Sequence, residues 1–180
     1  MRIAVSGAHR TGKTTLVAAL LRALPEYIAI EEPYHRLEEE GHVFAAMPSL
    51  EDFELQLGRS IECLEEPGEN RIFDRCPADF LAYLLTHPEA DAFDLEASLA
   101  RVEGAMRGLD LIVFVPIEPG VHATSAEEED PDLRDRVDEE LRDIVLADRW
   151  GFDFEALEVT GTPDARLRLV LARIGAAGRD

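Results

Sequence analysis

Near its start the sequence reads Gly7-Ala8-His9-Arg10-Thr11-Gly12-Lys13-Thr14, and this stretch constrains the fold more than any other. A Gly-x-x-x-x-Gly-Lys-Thr run carries meaning only where a strand enters it and a helix leaves it. Both flanks are present. Arg2 to Ser6 is a short apolar run, and Lys13 to Leu24 carries Leu16, Leu20 and Leu24 at helical spacing before Pro25. In that setting the glycines let backbone N–H groups curl around a β-phosphate, and the helix N-terminus adds a fixed positive end. Lys13 is placed to bridge β- and γ-phosphates as a point charge. The Thr14 hydroxyl is placed to ligate Mg2+, and Thr15 to donate to the α-phosphate. Ala8, His9, Arg10 and Thr11 fill the variable positions, where Arg10 could approach the γ-phosphate. The stretch predicts a binding loop for a purine nucleoside triphosphate.

Composition narrows the nucleotide. Lys13 is the only lysine in the chain, so the Asn-Lys-x-Asp signature of guanine recognition is impossible, and no Asp-x-x-Gly of the GTPase kind follows an expected strand. ATP is the expected nucleotide. A formal net charge of −20 would repel a polyanion, which disfavours nucleic acid as a partner. No apolar stretch reaches the roughly 20 residues of a membrane-spanning helix, and no secretory pattern opens the chain. With Cys63 and Cys76 read as free thiols, a cytoplasmic protein is expected, as a monomer or a homodimer.

Along the chain, strands are expected at Arg2–Ser6, Tyr27–Ile30, Arg71–Asp74, Leu109–Val115 and Ala156–Val159, the fourth looking central. Between them helices are expected at Lys13–Leu24, Leu50–Glu65, from Pro77, at Phe93–Leu109, from Asp130 (N-cap) through about Asp148, and from Pro163. Strands alternating with helices mean parallel pairing and right-handed crossovers, hence a single three-layer α/β domain over residues 1–180.

Two strand ends carry charged pairs. The third ends in Phe73-Asp74-Arg75, followed by Cys76-Pro77-Ala78-Asp79-Phe80, and the second in Glu31-Glu32-Pro33, followed by Tyr34-His35-Arg36. Together with the loop, these resemble the P-loop kinases of the nucleoside and nucleotide kinase group. The chain is similar in particular to the small AAA-type ATPase and kinase-like family that includes nicotinamide-riboside-kinase-like domains. The resemblance implies a five-stranded sheet of order 2-3-1-4-5 and a lid over about residues 116–148. It implies that Asp74 orients the metal's water shell or acts as base, and that Arg75 stabilises phosphoryl charge. It makes Glu32 a candidate base for an accepting hydroxyl, and Arg134 and Arg136 candidate lid arginines. These two point to different helix faces, so only one is expected to reach the phosphates. Arg36 could hold an anionic group of the acceptor, while Tyr34, His35, Phe53 and Gln56 would shape its pocket, and Arg166 lies where related folds wrap adenine. Each has a plainer reading. Asp74-Arg75 could be a salt-bridging strand end, Glu31 and Glu32 part of a solvated acidic face, and the arginines after Pro131 partners of Asp135, Asp138 and Glu139.

The expectation is an ATP- and Mg2+-dependent phosphotransferase for a small-molecule hydroxyl, a nucleoside or ribosyl compound among them. An ATP-binding or ATP-hydrolysing regulatory module and a polynucleotide end kinase are the alternatives.

Overall fold

The structure is a computed structural model and describes residues 1–45, 47–118 and 131–177. Strands β1 (Arg2–Ser6), β2 (Ile28–Ile30), β3 (Arg71–Asp74), β4 (Leu111–Phe114) and β5 (Ala156–Glu158) form one sheet, every pair parallel, in the order β2-β3-β1-β4-β5. Around it lie α1 (Lys13–Ala23), α2 (Pro33–Glu39), α3 (Leu50–Glu65), α4 (Pro77–Thr86), α5 (Leu95–Met106), α6 (Pro131–Val145) and α7 (Pro163–Ala177).

A parallel sheet buried on both faces needs apolar side chains at successive strand positions, since neighbours point to opposite sides. Ala4, Phe73, Ile112 and Phe114 face a core built with α3, α4, α5 and α6. Ile3, Val5, Ile72, Leu111 and Val113 face the other layer, with Leu16, Val17 and Leu20 of α1 and Val170 of α7. These helices show the expected stripes: Phe53, Leu57, Ile61 and Leu64 on α3, and Val137, Leu141 and Ile144 on α6 are all buried. The three-layer α/β expectation holds, as does the strand order.

The register delivers the ends of three strands to one edge. Val5 pairs with Asp74, and Ser6 with Phe114, so the residues after β1, β3 and β4 emerge side by side. Gly7 follows directly, at φ 153, and a Cβ there would sit 2.4 Å from the Val115 carbonyl oxygen. Only glycine fits that crossing.

Several boundaries differ from the sequence-based expectation. The fourth strand is interior, but β1 holds the middle of the sheet. Helix α2 and a 3-10 turn at Ala90–Ala92 were not expected. That turn takes the chain into α5, which starts at Leu95 because the Asp94 carboxylate accepts from Ala97 N at 3.0 Å. Helix α6 stops at Val145 rather than Asp148. Asp148 adopts φ 46, and its carboxylate accepts from Phe152 N at 2.8 Å, turning the chain toward β5. The proposed N-cap Asp130 and most of the acidic connection before it lie outside the described residues.

Candidate active site

The phosphate loop runs from the end of β1 to Gly12, which caps α1 in the left-handed region at φ 93. It is folded around its own Ala8 carbonyl, which accepts from Thr11 Oγ1 at 3.1 Å and from Lys13 Nζ at 2.7 Å. Lys13 is 5% exposed, and burial, with Arg75 close by, lowers its pKa to about 7 against the opposing pull of Asp79, Glu32 and Asp74. A buried ammonium short of full compensation is a receptor for anionic oxygen.

Beside it, Thr14 Oγ1 donates to Asp74 Oδ2 at 3.0 Å. The other oxygen of Asp74 is buried with no hydrogen-bond partner among the described residues. Burial and the charge of Glu32 push the Asp74 carboxyl up, a shift that Lys13, Arg75 and the Thr14 bond only partly offset. A hydroxyl and an acceptor-only oxygen side by side next to the loop are the donor set that a hard, hydrated cation such as Mg2+ takes. Thr14 and Asp74 therefore fit the group expected there.

Arg75 ties the two sides of the site together. Its backbone sits at φ 77, a strained position for a residue with a side chain. The guanidinium is buried, with Nε donating to Glu32 Oε1 at 2.5 Å and Nη1 to the Gly7 carbonyl at 3.1 Å and Asp79 Oδ1 at 3.3 Å. It also lies 5.4 Å from the centroid of the Tyr83 ring. Burial alone would raise the Glu32 carboxyl, but Arg75 and Lys13 outweigh it and hold it below the usual carboxylate range. Glu32 is the residue before α2, with Pro33 at the first helical position, and its side chain reaches Arg75 at the end of β3.

Glu32 and Arg75 open onto a cavity of about 490 Å³ between α2, α3, α4 and α6. Tyr34, Phe53, Gln56, Tyr83, His87 and Arg136 are among its walls. Phe53 and Tyr83 are stacked with centroids 4.9 Å apart and planes 10° from parallel. The opposite wall begins at Tyr34, stacked on Phe44 at 4.3 Å. A space of this size with aromatic walls and a few polar groups at one end suits a small organic molecule.

The structure brings most of the predicted residues together but not all. Arg134 and Arg136 do diverge: Arg134 Nε donates to the His9 carbonyl at 3.2 Å, while Arg136 lines the cavity. Arg36 points elsewhere. Its Nη1 donates to Cys63 Sγ at 2.7 Å and Nη2 lies 3.6 Å from Glu66, and it is not among the cavity walls. His35 is exposed beside Glu38 on α2, away from those walls. Arg166 braces the loop from behind, Nη1 donating to the Thr11 carbonyl at 2.7 Å and Nη2 to Glu118 Oε1 at 2.8 Å. His9, expected from sequence only as a variable position of the nucleotide loop, lines the cavity and shares its backbone N–H and Nδ1 with the Tyr83 hydroxyl, each at 3.2 Å. Asp79 was also missed. It caps α4 in a box with Cys76, and Cys-x-x-Asp is a disguised form of the usual Ser/Thr-x-x-Glu signal.

Known proteins share this fold. The family described as AAA domain matches residues 2–166. Deoxyadenosine kinase from M. mycoides superposes with a TM-score of 0.67 at 13% identity, covering 98% of this chain and all of that one. Thymidylate kinase from Candida albicans gives 0.67 at 17%, covering 98% and 92%. NadR in complex with NR gives 0.71 at 20% identity, over 97% of this chain and 50% of that one. No curated protein matches in sequence. At these identities the structural neighbours speak for the fold, which is that of the P-loop nucleoside and nucleotide kinases.

Proposed function

The chain belongs to the AAA domain family, and from that premise we propose that it is an ATP-dependent phosphotransferase acting on a hydroxyl of a small molecule, with a nucleoside or other ribosyl compound as the acceptor class. The observation that carries this reading is the Glu32–Arg75 pair, which stands where an aromatic-walled cavity opens beside the phosphate loop. A module that only hydrolyses ATP has no use for such a cavity. M. mycoides deoxyadenosine kinase and NadR bound to NR share this fold and supply the precedent for the acceptor class.

In this reading the loop amides, the α1 N-terminus and Lys13 hold the triphosphate of ATP. Bound Mg2+, held with the help of Thr14 and Asp74, would neutralise β,γ-phosphate charge. The acceptor's hydroxyl oxygen forms a bond to the γ-phosphorus while the bond to the β-bridging oxygen breaks, leaving ADP. The hydroxyl proton goes to Glu32. Kept ionised by Arg75, Glu32 is a weak base, so it takes that proton late, once the oxygen is partly phosphorylated and more acidic. Arg75 then faces the phosphoryl oxygens, where charge is spread in the transition state.

Glu32→Gln tests the assignment. Acceptor-dependent turnover should fall by about 10²-fold or more, while affinity for an ATP analogue changes by less than about threefold. An unchanged turnover would transfer the base role to Asp74 or to water.

A further inference from the structure

The chemistry above uses Lys13, Thr14, Glu32, Asp74 and Arg75, and leaves the fully buried carboxyl group of Asp79 without a role. Asp79 is 0% exposed and is the third residue of α4, in its first turn. One oxygen does what a helix cap requires: Oδ2 accepts from Cys76 N at 2.9 Å. The other leaves the helix altogether. Oδ1 accepts from Gly7 N at 3.0 Å and from Arg75 Nη1 at 3.3 Å, and that same Nη1 reaches the Gly7 carbonyl at 3.1 Å. Gly7, Arg75 and Asp79 thus close a ring of hydrogen bonds at the junction of three elements.

We propose that Asp79 is a positioning residue, whose single carboxylate fixes the direction of the Gly7 amide and of the Arg75 guanidinium and so holds the phosphate loop and the acceptor-side arginine in one frame. Four residues on, one turn along the same helix face, the Tyr83 hydroxyl accepts from His9 N. Helix α4 therefore grips the loop at two amides while its Phe80 and Tyr83 wall the cavity. The loop half of the proposal needs only a nucleotide-binding loop. The Arg75 half rests on the phosphotransfer reading.

The substitution Asp79→Asn keeps the shape but turns one acceptor oxygen into an NH2 group facing N–H donors. We expect the folded variant to bind the β,γ-imido analogue of ATP, with magnesium, about tenfold more weakly than the parent by calorimetry. A role confined to capping α4 would lower the melting temperature and leave the affinity of the folded protein unchanged, and that result would overturn the proposal. Should the variant fail to fold, hydrogen exchange of the unmodified protein decides: Gly7 N–H protected like the amides inside β1 supports the bond to Asp79, and rapid exchange refutes it. With an acceptor that supports turnover, kcat of Asp79→Asn at saturating ATP should also fall about tenfold. A kcat restored by saturation would remove Arg75 from the proposal. Failure of the phosphotransfer reading itself has a different signature, no acceptor-dependent turnover in the parent, and leaves the binding result intact.

Discussion

Lys13 is one buried ammonium whose surroundings are tuned for something the protein alone does not supply. Its pKa of about 7 lies below the ordinary 10.5, because burial and Arg75 outweigh the three carboxylates nearby. Folded chains then bind fewer protons at this site than unfolded ones between about pH 7 and 10.5, so stability rises with pH across that window and is lost as pH falls through it. Lys13→Met should remove that slope, which thermal melts of both proteins from pH 6 to pH 10 would show as a difference growing smaller toward high pH. Anionic phosphates restore the charge, so binding ATP should take up protons above pH 7, seen as a buffer-dependent heat in calorimetry. Parallel stability curves for the two proteins would contradict the account. At this scale the sequence was legible where chemistry is written into a motif, as from Gly7 to Thr14. It was less so at Arg36 and Arg166, because an arginine side chain is long enough for its guanidinium to serve any of several sites, and here Cys63 and the Thr11 carbonyl claim them.

Among the elements, those with a broad apolar stripe could be read directly, and those without one could not. Helix α3 announces itself through Phe53, Leu57, Ile61 and Leu64, whereas α2 spans seven residues and buries only Pro33 and Leu37. Pro33 at its first position was the available clue. Helix α3 also begins with a full capping box, in which Ser49 Oγ accepts from Asp52 N at 3.2 Å and Asp52 Oδ2 from Ser49 N at 2.9 Å. Because Phe53 and Gln56 of the first turns line the cavity, this cap holds one of its walls in place. Ser49→Ala should cost about 1 kcal/mol in urea unfolding, with a larger effect on acceptor KM than on affinity for ATP. Equal stability of the two proteins would mean that the cap is dispensable. Helix α6 supplies the complementary wall through Leu133 and Arg136, and its Arg134 touches the loop.

For the whole molecule, the β2-β3-β1-β4-β5 order is what assembles the site. It places the ends of β1 and β3 next to each other, with β2 beyond them, so the loop, Arg75 and Glu32 meet at one sheet edge although they are far apart in sequence. Strand alternation made that architecture legible, but the pairing of Arg75 with both Glu32 and Asp79 is a product of register and could be seen only in three dimensions. The charge of −20 spreads over this frame and opposes approach of a polyanion, while Lys13 and Arg75 stand as buried cations among Glu32, Asp74 and Asp79 at the site. Among the described residues no helix is long and apolar enough to cross a membrane. The central claim is transfer of the γ-phosphoryl group to a small hydroxyl compound. The direct measurement follows label from the γ-phosphate of ATP in the presence of nucleosides, nucleotides, other ribosyl compounds or oligonucleotide ends. The account predicts label on a nucleoside or ribosyl compound, little on oligonucleotides, and none with Lys13→Ala; label appearing only as inorganic phosphate, at a rate no acceptor changes, would contradict it.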